Sequence, residues 1–288
     1  MTGTYLERLA ARSTVTGTVL CLGIDPDPQA LPPGFTADLV GMSRFAALLI
    51  QAAGPWAAAI KPNLAFFEAY GSAGMAALER LRATIPADIA VIADAKRGDI
   101  GSTAARQAVA LFDALGADAV TVNPYLGATA VAPLLERLDR FAYVLCRTSN
   151  PGAGELQDLS VAADEALDAP AERLHERVAR LAGSWGPGGT VGLVVGATAP
   201  HELATIRRVA PGLAFLVPGV GAQGGAIAPV LADGPATLPP VAARVGGGLL
   251  VNVSRGIAGA ALGDGSGDPF ERVAAAAADW AVRLPVLP

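Results

Sequence analysis

The sequence predicts an α/β fold, a (β/α)8 TIM barrel spanning residues 1–288 as a single domain. Three observations predict it. Short β-branched apolar runs alternate with longer Ala-, Leu- and Arg-rich stretches, the order that builds βαβ units. The runs are almost continuously apolar, as strands are when both of their faces are buried in a parallel sheet. Eight such units in 288 residues suit a closed barrel better than an open sheet.

In chain order the strands are expected at residues 18–24, 57–61, 90–95, 119–123, 142–147, 191–196, 214–218 and 249–253. The intervening helices are expected at 38–52, 65–83, 102–115, 130–138, 171–182 and 200–209. A last helix covers about 268–282, where Asp268 is the N-cap and Pro269 the first helical residue, a pairing favoured at helix starts. Two connections exceed what a minimal barrel needs. They are 150–168 after the fifth strand and 225–248 after the seventh. Because both follow strands, both are expected on the C-terminal face of the barrel, where such barrels do their chemistry.

A chain that is 52% apolar and 16% charged can bury a large core, which excludes disorder as its main state. A net charge of -5 and the lack of any dense Lys/Arg run argue against a nucleic-acid partner. The longest uncharged stretch, 209–232, carries Pro211, Pro218 and Pro229, which a membrane-spanning helix would not. With a polar, charged N-terminus as well, the expectation is a cytoplasmic protein with no membrane partner. Cys21 and Cys146 lie in apolar strands and read as buried, inert thiols. His175 and His201 read as solvated surface residues, and neither supports a zinc site or a His-based triad. No G-x-G-x-x-G follows the first strand, so a dinucleotide fold has no support.

Polar residues gather instead at the strand ends: Asp25, Lys61, the segment ADAKRGD with Asp94, Lys96 and Asp99, then NPY, RTSNPG, VPGVGAQGG and NVSRG. Asp94 and Lys96 are two residues apart and so project to the same side of a strand. An acid and an ammonium held together at the mouth of an apolar barrel must be paired to be tolerated. The glycine-rich segment from Pro218 to Gly225, including Gly219 and Gly224, lets backbone N–H groups approach an anion. Arg255 closes the next strand. Loops after strands seven and eight hold phosphate in phosphate-binding barrels, and Arg255 supplies bidentate donors for one.

The segment Asp94-Ala-Lys-Arg-Gly-Asp99 resembles the D-x-K-x-x-D signature of the orotidine 5'-phosphate decarboxylase superfamily. The likeness extends in family order over residues 17–259. Asp25 is similar to the family's strand-1 aspartate, and Lys61 to its strand-2 lysine. Ser149 resembles the serine that contacts the pyrimidine. Gln223 resembles the loop-7 glutamine, and Arg255 the phosphate arginine. Thr103 matches a position near the intersubunit side of the site. The two long loops are similar to those of the longer bacterial subgroup.

This resemblance implies a cofactor-free, metal-free carboxy-lyase of pyrimidine biosynthesis. It would act on a nucleotide monophosphate in a homodimer with a shared active site, with Asp99 reaching in from the partner. Lys96 would stabilise and protonate the C6 carbanion, with Asp94, Asp99 and Lys61 completing the charged array. Related barrels share D-x-K-x-x-D but are metal-dependent keto-sugar-phosphate decarboxylases or aldolases. A third reading is a barrel that binds a phosphate ligand without catalysis. Lys61, Ser149 and PGVGAQGG resemble the nucleotide enzyme better.

Overall fold

All eight apolar runs form strands, and they close on one another. In the computed structural model, which describes residues 3–263 and 267–287, these are β1 (Leu20–Ile24), β2 (Ala59–Pro62), β3 (Ala90–Arg97), β4 (Ala119–Val122), β5 (Phe141–Arg147), β8 (Val191–Val195), β9 (Ala214–Val217) and β10 (Leu249–Val253). β6 (Ser160–Val161) and β7 (Glu172–Arg173) form a separate antiparallel pair. The barrel order is β1-β10-β9-β8-β5-β4-β3-β2, parallel throughout, and β1 pairs with both β2 and β10 to complete the ring.

Two layers of apolar side chains follow from the strand alternation. Outward residues such as Leu20, Leu22, Ile24, Val91, Val144, Leu193 and Val251 pack under the helices. Inward residues such as Cys21, Ala59, Ile92, Phe141, Tyr143 and Leu250 fill the lower barrel. The helix that plugs this lower end, Tyr5–Thr16, was not among those expected. Its Thr4 accepts from the Glu7 N–H while the Glu7 carboxylate accepts from the Thr4 N–H, a capping box. Tyr5 stacks on Phe141 at 4.8 Å and its hydroxyl meets that of Tyr143 at 3.1 Å. The charged array thus stands on a packed floor.

The helices follow the prediction with local breaks, except that the one expected at 130–138 is only Ala132–Leu135 and the one expected at 171–182 begins at Leu174, after β7. Residues 200–209 form one helix as expected, and Pro269–Arg283 starts with Asp268 accepting from the Phe270 N–H at 2.9 Å. The stretch 65–83 is two helices, Leu64–Glu68 and Gly71–Thr84, broken where Gly71 takes φ +57°. Residues 102–115 begin as α-helix and end in a π-helical turn, Val109–Ala114.

The expectation that 225–248 lies on the C-terminal face is overturned. The helix Ile227–Asp233 carries the chain back down, so the rest of the connection runs beneath the barrel. There Ala236 and Val241 join the lower core, the Ala236 N–H donates to the Gly247 carbonyl, and Arg244 pairs with Glu7 of the N-terminal helix. The other insertion, 150–168, does fold at the C-terminal face. Arg147 grips Asp158 through two bonds of 2.8 and 3.0 Å, and the Gln157 side chain accepts from the Thr148 N–H at 2.8 Å. That insertion also accounts for a second correction. His175 is not a solvated surface residue. The insertion covers it, leaving it 3% exposed, with Nδ1 donating to the Gln157 carbonyl at 2.9 Å. His201 is exposed, as expected, and both cysteines are buried.

Candidate active site

A cavity of about 900 Å³ opens at the C-terminal ends of the strands. Of the residues singled out from sequence, Asp25, Lys61, Asp94, Lys96, Ser149, Pro218, Gly219, Gln223 and Arg255 all line it. Asp99, Thr103 and Gly224 do not. Asp99 sits beyond β3, its carboxylate accepting from the Ile100 N–H at 2.7 Å, and Thr103 is exposed on the helix Gly101–Ala108.

At the centre are two lysines on one carboxylate. Lys61 donates to one Asp94 oxygen at 2.5 Å and Lys96 to the other at 2.6 Å. The two lysines differ in setting. The Lys61 side chain is 6% exposed and that of Lys96 is 51% exposed, facing the open cavity. Burial works against the charge on Lys61, but the Asp94 and Asp25 carboxylates outweigh it and hold its pKa at about 12. Burial likewise works against ionised Asp94, but Lys61 and Lys96 together hold that carboxyl well below the usual range. Asp94 therefore keeps Lys61 charged, and the two lysines keep Asp94 ionised. Below them, burial pushes the Cys21 thiol up to about 12, which makes it an inert part of the floor.

The backbone under this array departs from a regular strand. Lys96 has φ +49°, one of two non-glycine residues with positive φ among those described. Four steps along β3, Ala93 to Arg97, are matched to only two along β4, Val120 to Val122, so β3 bulges where the array sits. The residue opposite that bulge was not among the candidates read from the sequence. Thr121 is buried at 2% exposure and its hydroxyl donates to Asp94 at 2.9 Å. A second such residue is Asn252, buried on the inner face of β10, whose Oδ1 has no hydrogen-bond partner. Gly23 makes room for it, since a Cβ there would lie 2.7 Å from the Ser254 Cβ and 3.1 Å from the Asn252 Oδ1.

The opposite wall joins the fifth and seventh barrel strands. Ser149 Oγ donates to Gln223 Oε1 at 3.1 Å. The approach requires Gly219, at φ +100°, whose missing Cβ would lie 3.0 Å from that of Ser149. Arg255 lines the cavity at the rim, and among the described residues its side chain makes no ion pair or hydrogen bond that would occupy it. No group of three or more His, Cys, Asp or Glu among the described residues is arranged to hold a metal ion, and no helix among them is long and apolar enough to cross a membrane.

A closed parallel barrel with its charged groups gathered over one cavity at the strand ends defines a (β/α)8-barrel enzyme. Residues 18–265 match the model of the orotidine 5'-phosphate decarboxylase / HUMPS family, and the chain belongs to that family. It is 42% identical over 272 residues to the orotidine 5'-phosphate decarboxylase of Herpetosiphon aurantiacus, covering 94% of this chain and 96% of the relative. Among solved structures it resembles the OMP decarboxylase of Leishmania donovani, with TM-score 0.78, 37% identity and 97% of each chain covered. It also resembles the UMP synthase of that organism, with TM-score 0.80 and 39% identity, covering 98% of this chain but 56% of the longer one.

Proposed function

We propose that this chain converts orotidine 5'-phosphate to uridine 5'-phosphate and CO2 in the cytoplasm, as a carboxy-lyase that uses its own side chains and no cofactor. The observation that carries the reading is the Lys61–Asp94–Lys96 array, one carboxylate bridging two lysines that both line the cavity, with Lys96 the more exposed of the two. The C6–carboxylate bond breaks with its electron pair left on C6. That pair lies in the ring plane, orthogonal to the π system, so its stabilisation must come from fixed charge placed beside it. The Lys96 ammonium supplies that charge, then gives its proton to C6 and recovers one from solvent. Asp94, kept ionised by both lysines, aims Lys96 and stands near the departing carboxylate. Asp25 and Lys61 hold ribose hydroxyls, and Ser149 with Gln223 meets the base. The glycine loop and Arg255 hold the phosphate.

The test is the fall in ultraviolet absorbance of orotidine 5'-phosphate on adding purified protein, with and without chelator. Equal rates in both arms are expected. Turnover abolished by chelator would instead indicate the metal-dependent chemistry of related barrels, and binding without turnover a phosphate-ligand binder. Arg255→Ala should raise KM by roughly 10- to 100-fold, the size of one lost charge-assisted contact, with a smaller change in kcat. An unchanged KM would remove Arg255 from the phosphate site.

The working unit we propose is a homodimer. Asp99 lies outside the cavity of its own chain, and exposed apolar residues follow it at Ile100 (71%) and stand on the loop after β4 at Tyr125 (80%) and Leu126 (55%). Such a patch marks a contact surface, and it would place Asp99 and Thr103 at the partner's site. Asp99→Ala subunits mixed with Lys96→Ala subunits should regain turnover that neither has alone. A mixture as inactive as its components would exclude a shared site.

A further inference from the structure

We infer that Thr121 is the positioning residue for the Asp94–Lys96 pair, holding Lys96 ready for proton delivery through the backbone as well as through Asp94. The inference rests on the reading of Lys96 as the proton donor.

One hydroxyl can donate once and accept twice, and Thr121 Oγ1 uses all three capacities. It donates to Asp94 Oδ1 at 2.9 Å and accepts from the Ala95 and Lys96 N–H groups, each at 3.0 Å. These two N–H groups belong to the bulge, where β3 has slipped out of step with β4. A left-handed backbone is disfavoured for a lysine, whose Cβ crowds the following carbonyl. Such a conformation persists only where its surroundings over-determine it. Here one buried hydroxyl binds the N–H of the strained residue and that of the residue before it, and also fixes the carboxylate that the lysine side chain meets. Because the hydroxyl is saturated within the protein, it has no donor or acceptor left for a substrate and acts through Lys96 and Asp94. Its neighbours in β4 are Val120 and Val122. A valine would suit the strand and nearly match the shape, so the hydroxyl is the part that this position specifically supplies.

Thr121→Val therefore tests the hydroxyl with little change in volume. The expected result is a kcat lowered by about 100-fold, the scale of a misplacement of about 1 Å at the reacting group, with KM for orotidine 5'-phosphate and Kd for uridine 5'-phosphate within about threefold of wild type. Thr121→Ser should restore kcat to within about threefold, since it returns the hydroxyl. Hydrogen exchange at the Ala95 and Lys96 amides should quicken in Thr121→Val and not in Thr121→Ser. Should Thr121→Val fail to fold, Thr121→Ala removes the same hydroxyl and is read by the same measurements. A kcat near wild type in the hydroxyl-less variant, or a loss that serine does not restore, overturns the inference. Failure of the wild-type protein to decarboxylate orotidine 5'-phosphate would instead overturn the function on which the inference rests, so the two failures are distinct.

Discussion

Replacing Lys96 by alanine should abolish turnover, lowering kcat by about 10⁴-fold or more, while uridine 5'-phosphate still binds. Two contributions fall together in this variant. Charge aimed at a developing anion is worth roughly 10²- to 10³-fold, and a positioned proton donor roughly 10²- to 10⁴-fold. Neither role has a substitute in the cavity. Lys61, the other ammonium, is buried against the second oxygen of Asp94. The fold should tolerate the change. The Lys96 side chain is half exposed, and Asp94 keeps both Lys61 and Thr121 as partners. Single-turnover absorbance reads the chemical step, and titration with uridine 5'-phosphate reads the site. Turnover within about tenfold of wild type, the equivalent of about 1.4 kcal/mol, would exclude Lys96 as the group that meets C6.

The barrel was legible because parallel strands buried on both faces leave unbroken apolar runs, and each of the eight runs became a strand. The strand-end residues were legible because charge at the end of such a run is costly unless it is used. Asp94 and Lys96 do share a side, but the simple alternation that predicted it does not hold at Lys96, whose left-handed backbone sits in a bulge. Nothing local to D-A-K-R announces a bulge, because it depends on β4 across the sheet. Thr121 was hidden for the same reason, as one hydroxyl in an apolar run. His175 was misread because its helix has a charged face, and the cover that buries it comes from a distant insertion. The 225–248 connection was misplaced because a helix within it reverses the chain, so strand order alone did not fix its face. The N-terminal helix, by contrast, carried a readable signal in Thr4 and Glu7 at capping-box spacing.

Asp94→Asn should be costly in a different way, destabilising the fold as well as silencing the site. An asparagine at this position would leave the buried Lys61 ammonium without its closest counter-charge, and breaking a buried pair on one side typically costs about 3–5 kcal/mol. Asp25 still acts on Lys61, which places the expectation at the lower end of that range. The pH dependence follows from the direction of each shift. Asp94 has a lowered pKa in the folded protein, so its stabilisation is fully present above the ordinary carboxyl value of about 4 and is lost as pH falls further, through the folded value. Lys61 has a raised pKa of about 12, so its share is present below the ordinary value of about 10.4 and is lost as pH rises through about 12. The gap in unfolding free energy between wild type and variant should therefore be widest around neutrality and narrow at strongly acid pH, as Asp94 itself becomes neutral. Urea denaturation at neutral pH and in strong acid measures both ends of that trend. A gap below about 1 kcal/mol at neutral pH, the range of an exposed ion pair, would mean that Lys61 does not depend on Asp94. The array would then be two independent lysines rather than one coupled unit.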